Sequence, residues 1–221
     1  MRSKFATAAQ LALAMALTLG TNVVHAGLAD SPARRGSTAE THCPLTGLKA
    51  PKGVDVDRAA LAVKVDNNLD GTEASGLERA DLVFETVVEG GVTRFMAIFH
   101  CKGGGTVGPV RSARMDDPAL AGPFTNVLVN SGANDAVAEK LAARGMISID
   151  EFNADGALYR ATEDADDVDD LYADLASVRD LLTGDAHSPH AGVFDFGTAA
   201  AGSFRTTTAT LDFGATNVEY R

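Results

Sequence analysis

Residues 81–101, DLVFETVVEGGVTRFMAIFHC, place two strand-forming runs on either side of Gly90-Gly91, so this chain has to build its core around a sheet. A two-residue turn at the glycines sets a register in which Glu89 faces Val92 and Val87 faces Arg94. One face then carries Leu82, Phe84, Thr86 and Val88 with Thr93, Phe95, Ala97 and Phe99. The other mixes Val83, Val87, Met96 and Ile98 with Asp81, Glu85, Glu89 and Arg94. Two half-apolar faces call for cover on both sides, so the charges are expected to lose water and to pair, Arg94 with Glu85 or Glu89. The plainer alternative is an exposed cross-strand ion pair of little weight.

Further strand signals are ALAVKVDN at 60–67, NVLVNSG at 126–132 and MISIDEF at 146–152. Between them lie helix signals. Asp117-Pro118 opens one, NDAVAEKLAARG closes on Gly145, and DVDDLYADLASVRDLLTG closes on Gly184. Strands alternating with helices predict an α/β fold, a mixed β-sheet with helices packed against it. After Gly184 the pattern weakens into HSPHAGVFDFG and a Thr-rich, strand-like stretch to Tyr220. Residues 185–221 are accordingly read as a linker and the incomplete start of a small β-rich C-terminal domain.

The first 26 residues form a secretory signal: Arg2 and Lys4, an apolar run from Ala6 to Leu19, and small residues ending at Ala26. The run is too short for a transmembrane anchor, and no cysteine stands at the cleavage point for an acyl anchor. Export by a cleaved signal is therefore expected, with 27–42 a flexible linker. Removing residues 1–26 takes two cations and no acid, so a formal charge of -11 becomes -13. Such a body repels nucleic acid, and any anion site has to come from a local cluster. Cys43 and Cys101 are the only cysteines, and in an oxidising compartment the pair favours a disulfide.

That local cluster is VGPVRSAR at 107–114. Leaving the strand near Arg111 would bring Arg111 and Arg114 to one side, beside the amides that start the helix after Asp117. Guanidinium forks suit phosphate or carboxylate. The competing reading is that they neutralise Asp116, Asp117 and Glu85.

Together with CPLTGL at 43–48, ALAVKVDN, ADLVFETVVEGGVTRFMAIF at 80–99 and NSGAND at 130–135, this motif resembles the YerB-like family of bacterial lipoproteins, classed as a domain of unknown function. The resemblance covers about residues 43–184. It implies an extracytoplasmic envelope protein with an α/β N-terminal domain and no established activity. The chain departs from the family in lacking a lipid-attachment cysteine, in replacing a Pro-His-Asn segment by EDADDVDDLYAD, and in stopping at NVEYR.

The main functional expectation is a pocket around Arg94, Arg111 and Arg114, with Glu85, Glu89 and Asp81 nearby. It would bind an anionic small molecule, an envelope glycan or lipid phosphate, or a protein partner. By analogy of motif order, an alternative is a phosphotransferase like the LytR-CpsA-Psr enzymes, acting on a polyprenyl-pyrophosphate-linked glycan. There the arginines would hold pyrophosphate while Asp81 or Glu85 assists a divalent metal or a proton transfer. A third reading is a structural domain whose arginines only pair internally. No cofactor or metal is otherwise expected. The would-be calcium loop at Asp66, Asn68, Asp70 and Gly71 has Leu77 where its last acid belongs. The six acids from Glu163 to Asp170 suit a helix start. His187 and His190 lack a third ligand. Gly103-Gly104-Gly105 reads as a hairpin turn.

Overall fold

Leu61–Asn67 (β1) is buried along almost its whole length, its apolar residues and also Lys64 and Asp66, as in a strand covered on both faces. It centres a five-stranded sheet ordered β2-β3-β1-β5-β6. The partners are β2 (Leu82–Val87), β3 (Thr93–Phe99), β5 (Val127–Val129) and β6 (Ile147–Ile149). β3 runs antiparallel to β1 and β2, whereas β1, β5 and β6 are parallel. The fold is thus α/β with a mixed sheet. This computed structural model describes residues 41–67, 72–162, 170–187, 193–197, 202 and 206–212, and the backbone of 217–220. The signal segment, most of the 27–42 linker, residues 68–71, the acids before Asp170 and His190 lie outside the described residues.

Two helices cover one face. α1 (Asp117–Ala121) and α2 (Asp135–Ala143) join β1, β3 and β5 in a core of Ala60, Ala62, Met96, Ile98, Leu128, Val137 and Leu141. Asn134 caps α2 by accepting from Val137 N at 3.0 Å. The other face meets a second sheet ordered β4-β8-β7, from Thr106–Val107, Leu171–Asp174 and Leu158–Arg160, together with α3 (Leu175–Asp180). Leu61, Val63, Phe95, Phe99, Val129, Leu171, Ala173 and Leu175 make that core. Gly108 lets the two sheets approach, because a Cβ there would stand 2.8 Å from Leu171 O and 2.7 Å from Tyr172 Cδ1. β9 (Ala209–Asp212) pairs with β10 (Asn217–Tyr220) as a separate antiparallel hairpin.

Three sequence expectations are corrected here. The β2–β3 loop has three residues, with Val88 N donating to Val92 O at 2.8 Å and both Gly90 and Gly91 at positive φ. Val87 therefore faces Thr93, Thr86 faces Arg94, and Glu85 faces Phe95. This one-residue slip puts Arg94 on the helix-covered face with Phe84 and Met96, and Glu85 on the opposite face. Second, the helix expected from Asp167 begins only at Leu175: Leu171 and Ala173 are buried alternately in a strand paired on both sides, and Asp174 caps the helix through Ser177 N. Third, Gly103-Gly104-Gly105 carries the chain from one sheet to the other rather than closing a hairpin.

The cysteines are joined, Cys43 to Cys101, with Cα atoms 5.9 Å apart. The bridge ties the first described segment, whose Leu45 is buried in the helix-side core, to the end of β3.

Candidate functional site

β1, β5 and β6 end on the same side of the sheet, where open α/β sheets characteristically form their crevices. The arginine turn is wedged into that crevice as β1 and β5 part. Arg111 N donates to Lys64 O, Ser131 N to Arg111 O, and Ala113 N to Gly132 O, at 3.0, 3.1 and 3.0 Å. Val110 bridges β1 at Val65 and donates to Leu171 O. The backbone thus fixes Arg111, Ser112, Ala113 and Arg114 at the mouth of the sheet.

Four cations gather there. Lys64 has no exposed surface, and its Nζ lies 2.9 Å from Asp117 Oδ1. Burial lowers the Lys64 pKa against the opposing pull of Asp117. Asp117 Oδ2 also accepts from Arg114 N at 2.7 Å. Arg111 Nε is 3.6 Å from Asp66 Oδ1, whose carboxylate is 4% exposed. Arg114 Nε lies 2.8 and 2.9 Å from the oxygens of Glu89, a carboxylate 72% exposed, and its Nη1 donates to Ser112 O and Ala113 O. Glu89 is held below the usual carboxylate range by its backbone hydrogen bond and then by Arg114.

Arg94 differs from the rest. Its Nη1 donates to Ser112 O at 3.3 Å, and among the described residues no carboxylate lies within ion-pair distance of it. Its Nε is buried without a hydrogen-bond partner. Burial, then Arg114 and Arg111, lower its pKa. Among the described residues the crevice thus sets Lys64, Arg94, Arg111 and Arg114 against two buried carboxylates, Asp66 and Asp117, and the exposed Glu89 at the rim.

Two adjoining cavities open on this cluster. The larger, about 680 Å³, is lined by Glu89, Ser112, Arg114, Ser131, Asn134 and Phe152 among others. The smaller, about 260 Å³, is lined by Arg94, Arg111, Ser112, Ser131, Glu151 and Arg160. Ser112 and Ser131 line both, their hydroxyls 3.2 Å apart. Arg160 is already matched, by Glu151 at 2.7 Å and Asp170 at 2.8 Å.

Of the residues expected from the sequence, the structure brings Arg94, Arg111, Arg114 and Glu89 to one crevice and leaves two out. Asp81 sits at the other end of β3, accepting from His100 N at 2.6 Å, because it precedes β2 where β3 is finishing. Glu85 accepts from Asn67 Nδ2 and Thr93 Oγ1 at 2.8 and 2.7 Å on the face away from Arg94. The helix-start amides after Asp117 are not presented to a ligand; Asp117 N is taken by Arg114 O. Sequence reasoning does not single out Lys64, Ser112, Ser131, Asn134 and Phe152. A lysine and an aspartate inside the apolar run LAVKVD are the signal for the first, since charges in a doubly covered strand need buried partners. Among the described residues no group of three or more His, Cys, Asp or Glu is placed to hold a metal.

Comparison with known proteins gives concordant matches. A curated relative from Bacillus subtilis (strain 168), named "Putative lipoprotein YerB", is 38% identical over 116 residues, or 52% of this chain and 35% of the relative. The chain thus spans about a third of that protein's length. The crystal structure of the YerB protein from Bacillus subtilis superposes with a TM-score of 0.57 at 32% identity, covering 64% of this chain and 48% of that one. The model of the family described as "Protein of unknown function (DUF3048) N-terminal domain" matches residues 45–188, and the chain belongs to that family.

Proposed function

We propose that this chain is a cell-envelope protein that binds an anionic ligand in the crevice at the carboxyl ends of β1, β5 and β6. The relative's name supports the envelope placement. The single observation that supports anion binding is Arg94, a half-buried guanidinium beside two others and paired with no carboxylate among the described residues. Holding like charges together out of water is costly, and an anion from solution offsets that cost. Ser112, Ser131 and Asn134 supply neutral hydrogen-bonding groups around it. The phosphotransferase alternative needs Asp81 or Glu85 beside the arginines, and neither stands in the crevice.

Isothermal titration of the purified chain with inorganic phosphate tests this. Arg94→Met should weaken phosphate binding at least tenfold, about 1.4 kcal/mol, while leaving the melting temperature unchanged or raised. A purely structural arginine gives the reverse, a lower melting temperature with no phosphate effect to lose. Phosphate affinity unchanged in Arg94→Met would sink the proposal.

A further inference from the structure

Resting on the anion-site reading, we infer that the natural ligand is a phosphate monoester carried on an apolar chain, an anionic amphiphile whose chain lies along the mouth of the larger cavity. The mouth of the larger cavity carries exposed apolar side chains beside Arg114. Phe152 is 87% exposed, Val87 54% and Met115 44%, and all three line the same cavity as Arg114. Scattered exposed apolar residues are ordinary, but a cluster beside an anion-binding floor marks a surface that something covers.

Phe152 is held in place rather than merely left outside. Its amide donates to Asp150 Oδ1 at 3.0 Å, and the same turn is closed by Asp150 N on Asn153 Oδ1 at 2.9 Å and Asn153 Nδ2 on Ser148 O at 3.0 Å. Its ring lies over Gly132, where a Cβ would stand 3.6 Å from Cε2. A pinned turn that keeps a phenyl ring in water gives up the apolar burial that a ligand chain restores.

The head group follows from the charge. Among the described residues Lys64 is paired with Asp117, Arg111 with Asp66 and Arg114 with Glu89 at the rim, which leaves Arg94 as the cation without a carboxylate at ion-pair distance. A phosphate monoester presents three acceptor oxygens and can bond the Arg94 and Arg111 guanidinium groups together, where a carboxylate presents two. A second copy of this chain is a poor occupant because two bodies of formal net charge -11 repel each other. A volume of about 680 Å³ lies within the usual range for small-molecule sites.

The purified chain is titrated with dodecyl phosphate below its micelle concentration, with inorganic phosphate, and with dodecyl maltoside as the neutral amphiphile. Dodecyl phosphate should bind at least tenfold more tightly than inorganic phosphate, and dodecyl maltoside more weakly than either. Phe152→Ala should bring the ratio of the first two affinities close to one, and Arg94→Met should weaken both. Equal affinity for the two phosphates, an unchanged ratio in Phe152→Ala, or maltoside binding as tight as dodecyl phosphate each overturns the amphiphile. Inorganic phosphate that fails to bind, or binds Arg94→Met equally, overturns instead the anion site beneath it.

Discussion

Lys64 stands in the central strand with no exposed surface, and its only carboxylate at ion-pair distance among the described residues is Asp117, 1% exposed. Neither charge tolerates the loss of the other. Removing one partner of a buried pair leaves an uncompensated ion and costs about 3–5 kcal/mol, whereas replacing both is often close to neutral. Lys64→Met should therefore lower the urea midpoint sharply. The double variant Lys64→Met, Asp117→Asn should recover most of it, because asparagine still accepts from Arg114 N. A loss in the double variant equal to the sum of the Lys64→Met and Asp117→Asn losses would show that the pair is not coupled. Arg94 is the contrasting case on the same face, a cation with no carboxylate at ion-pair distance among the described residues, and the proposed binding role would there run against stability.

At the scale of elements, β3 carries the proposed anion site at one end and a closed polar cap at the other. Arg58 donates from two nitrogens to His100 O, and Arg179 donates to Ala59 O and Phe99 O. His100 is fully buried with Nε2 3.0 Å from Arg58 O, so the neutral ring donates from Nε2 and its buried Nδ1 has no partner. Burial lowers the His100 pKa below 6.5 against the opposing pull of its hydrogen bond to Arg58 O and of Asp81, with the Arg58 and Arg179 charges adding to the lowering. The unfolded chain then binds a proton that the folded chain refuses, so this group's stability is complete above pH 6.5 and is lost as pH falls toward the folded value. A tenfold difference in proton affinity between the two states is worth about 1.4 kcal/mol. Urea midpoints measured from pH 7.5 down to 5 should fall, and His100→Gln, which keeps a donor for Arg58 O, should flatten the curve over that window. An equally steep fall in the variant would assign it to other groups. The elements differ in how well they can be read. β1 is legible because a short run rich in apolar and β-branched residues, with turn residues after it, favours a strand over a helix. The β2–β3 hairpin is legible as a hairpin but not in register, since two glycines permit a loop of two or three residues. Register is decided by cover on both sides: Phe95 and Phe99 pack toward the β4-β8-β7 sheet, and Met96 and Ile98 toward the helices. That sheet leaves almost no local trace. β4 has two residues, β7 three, and LYAD merges into the helical pattern that follows it.

For the whole molecule, the same long-range logic explains which parts of the crevice can be foreseen. Arg94, Arg111 and Arg114 draw notice as chemistry, whereas Phe152 and Lys64 gain meaning only from strands brought together across the sheet. The disulfide is the one long-range tie that composition alone announces, and its energetic role is separable from binding. It closes a loop with a sequence separation of 58 residues, a constraint on the unfolded chain worth about 4 kcal/mol in the loop-entropy model. Its Cys101 end lies seven residues along β3 and its following turn from Arg94, roughly 20 Å at the rise of an extended chain. Loss of the bridge should therefore destabilise the fold without reshaping the crevice. At about 2–4 °C per kcal/mol for a chain of this size, the double variant Cys43→Ala, Cys101→Ala should melt on the order of 10 °C lower. Its far-UV circular dichroism at 20 °C should be unchanged, and its affinity for inorganic phosphate should stay within twofold of the parent's. Phosphate affinity that fell in step with the melting temperature would mean that the N-terminal segment helps to shape the crevice through the sheet, and scaffold and site would then not be separable.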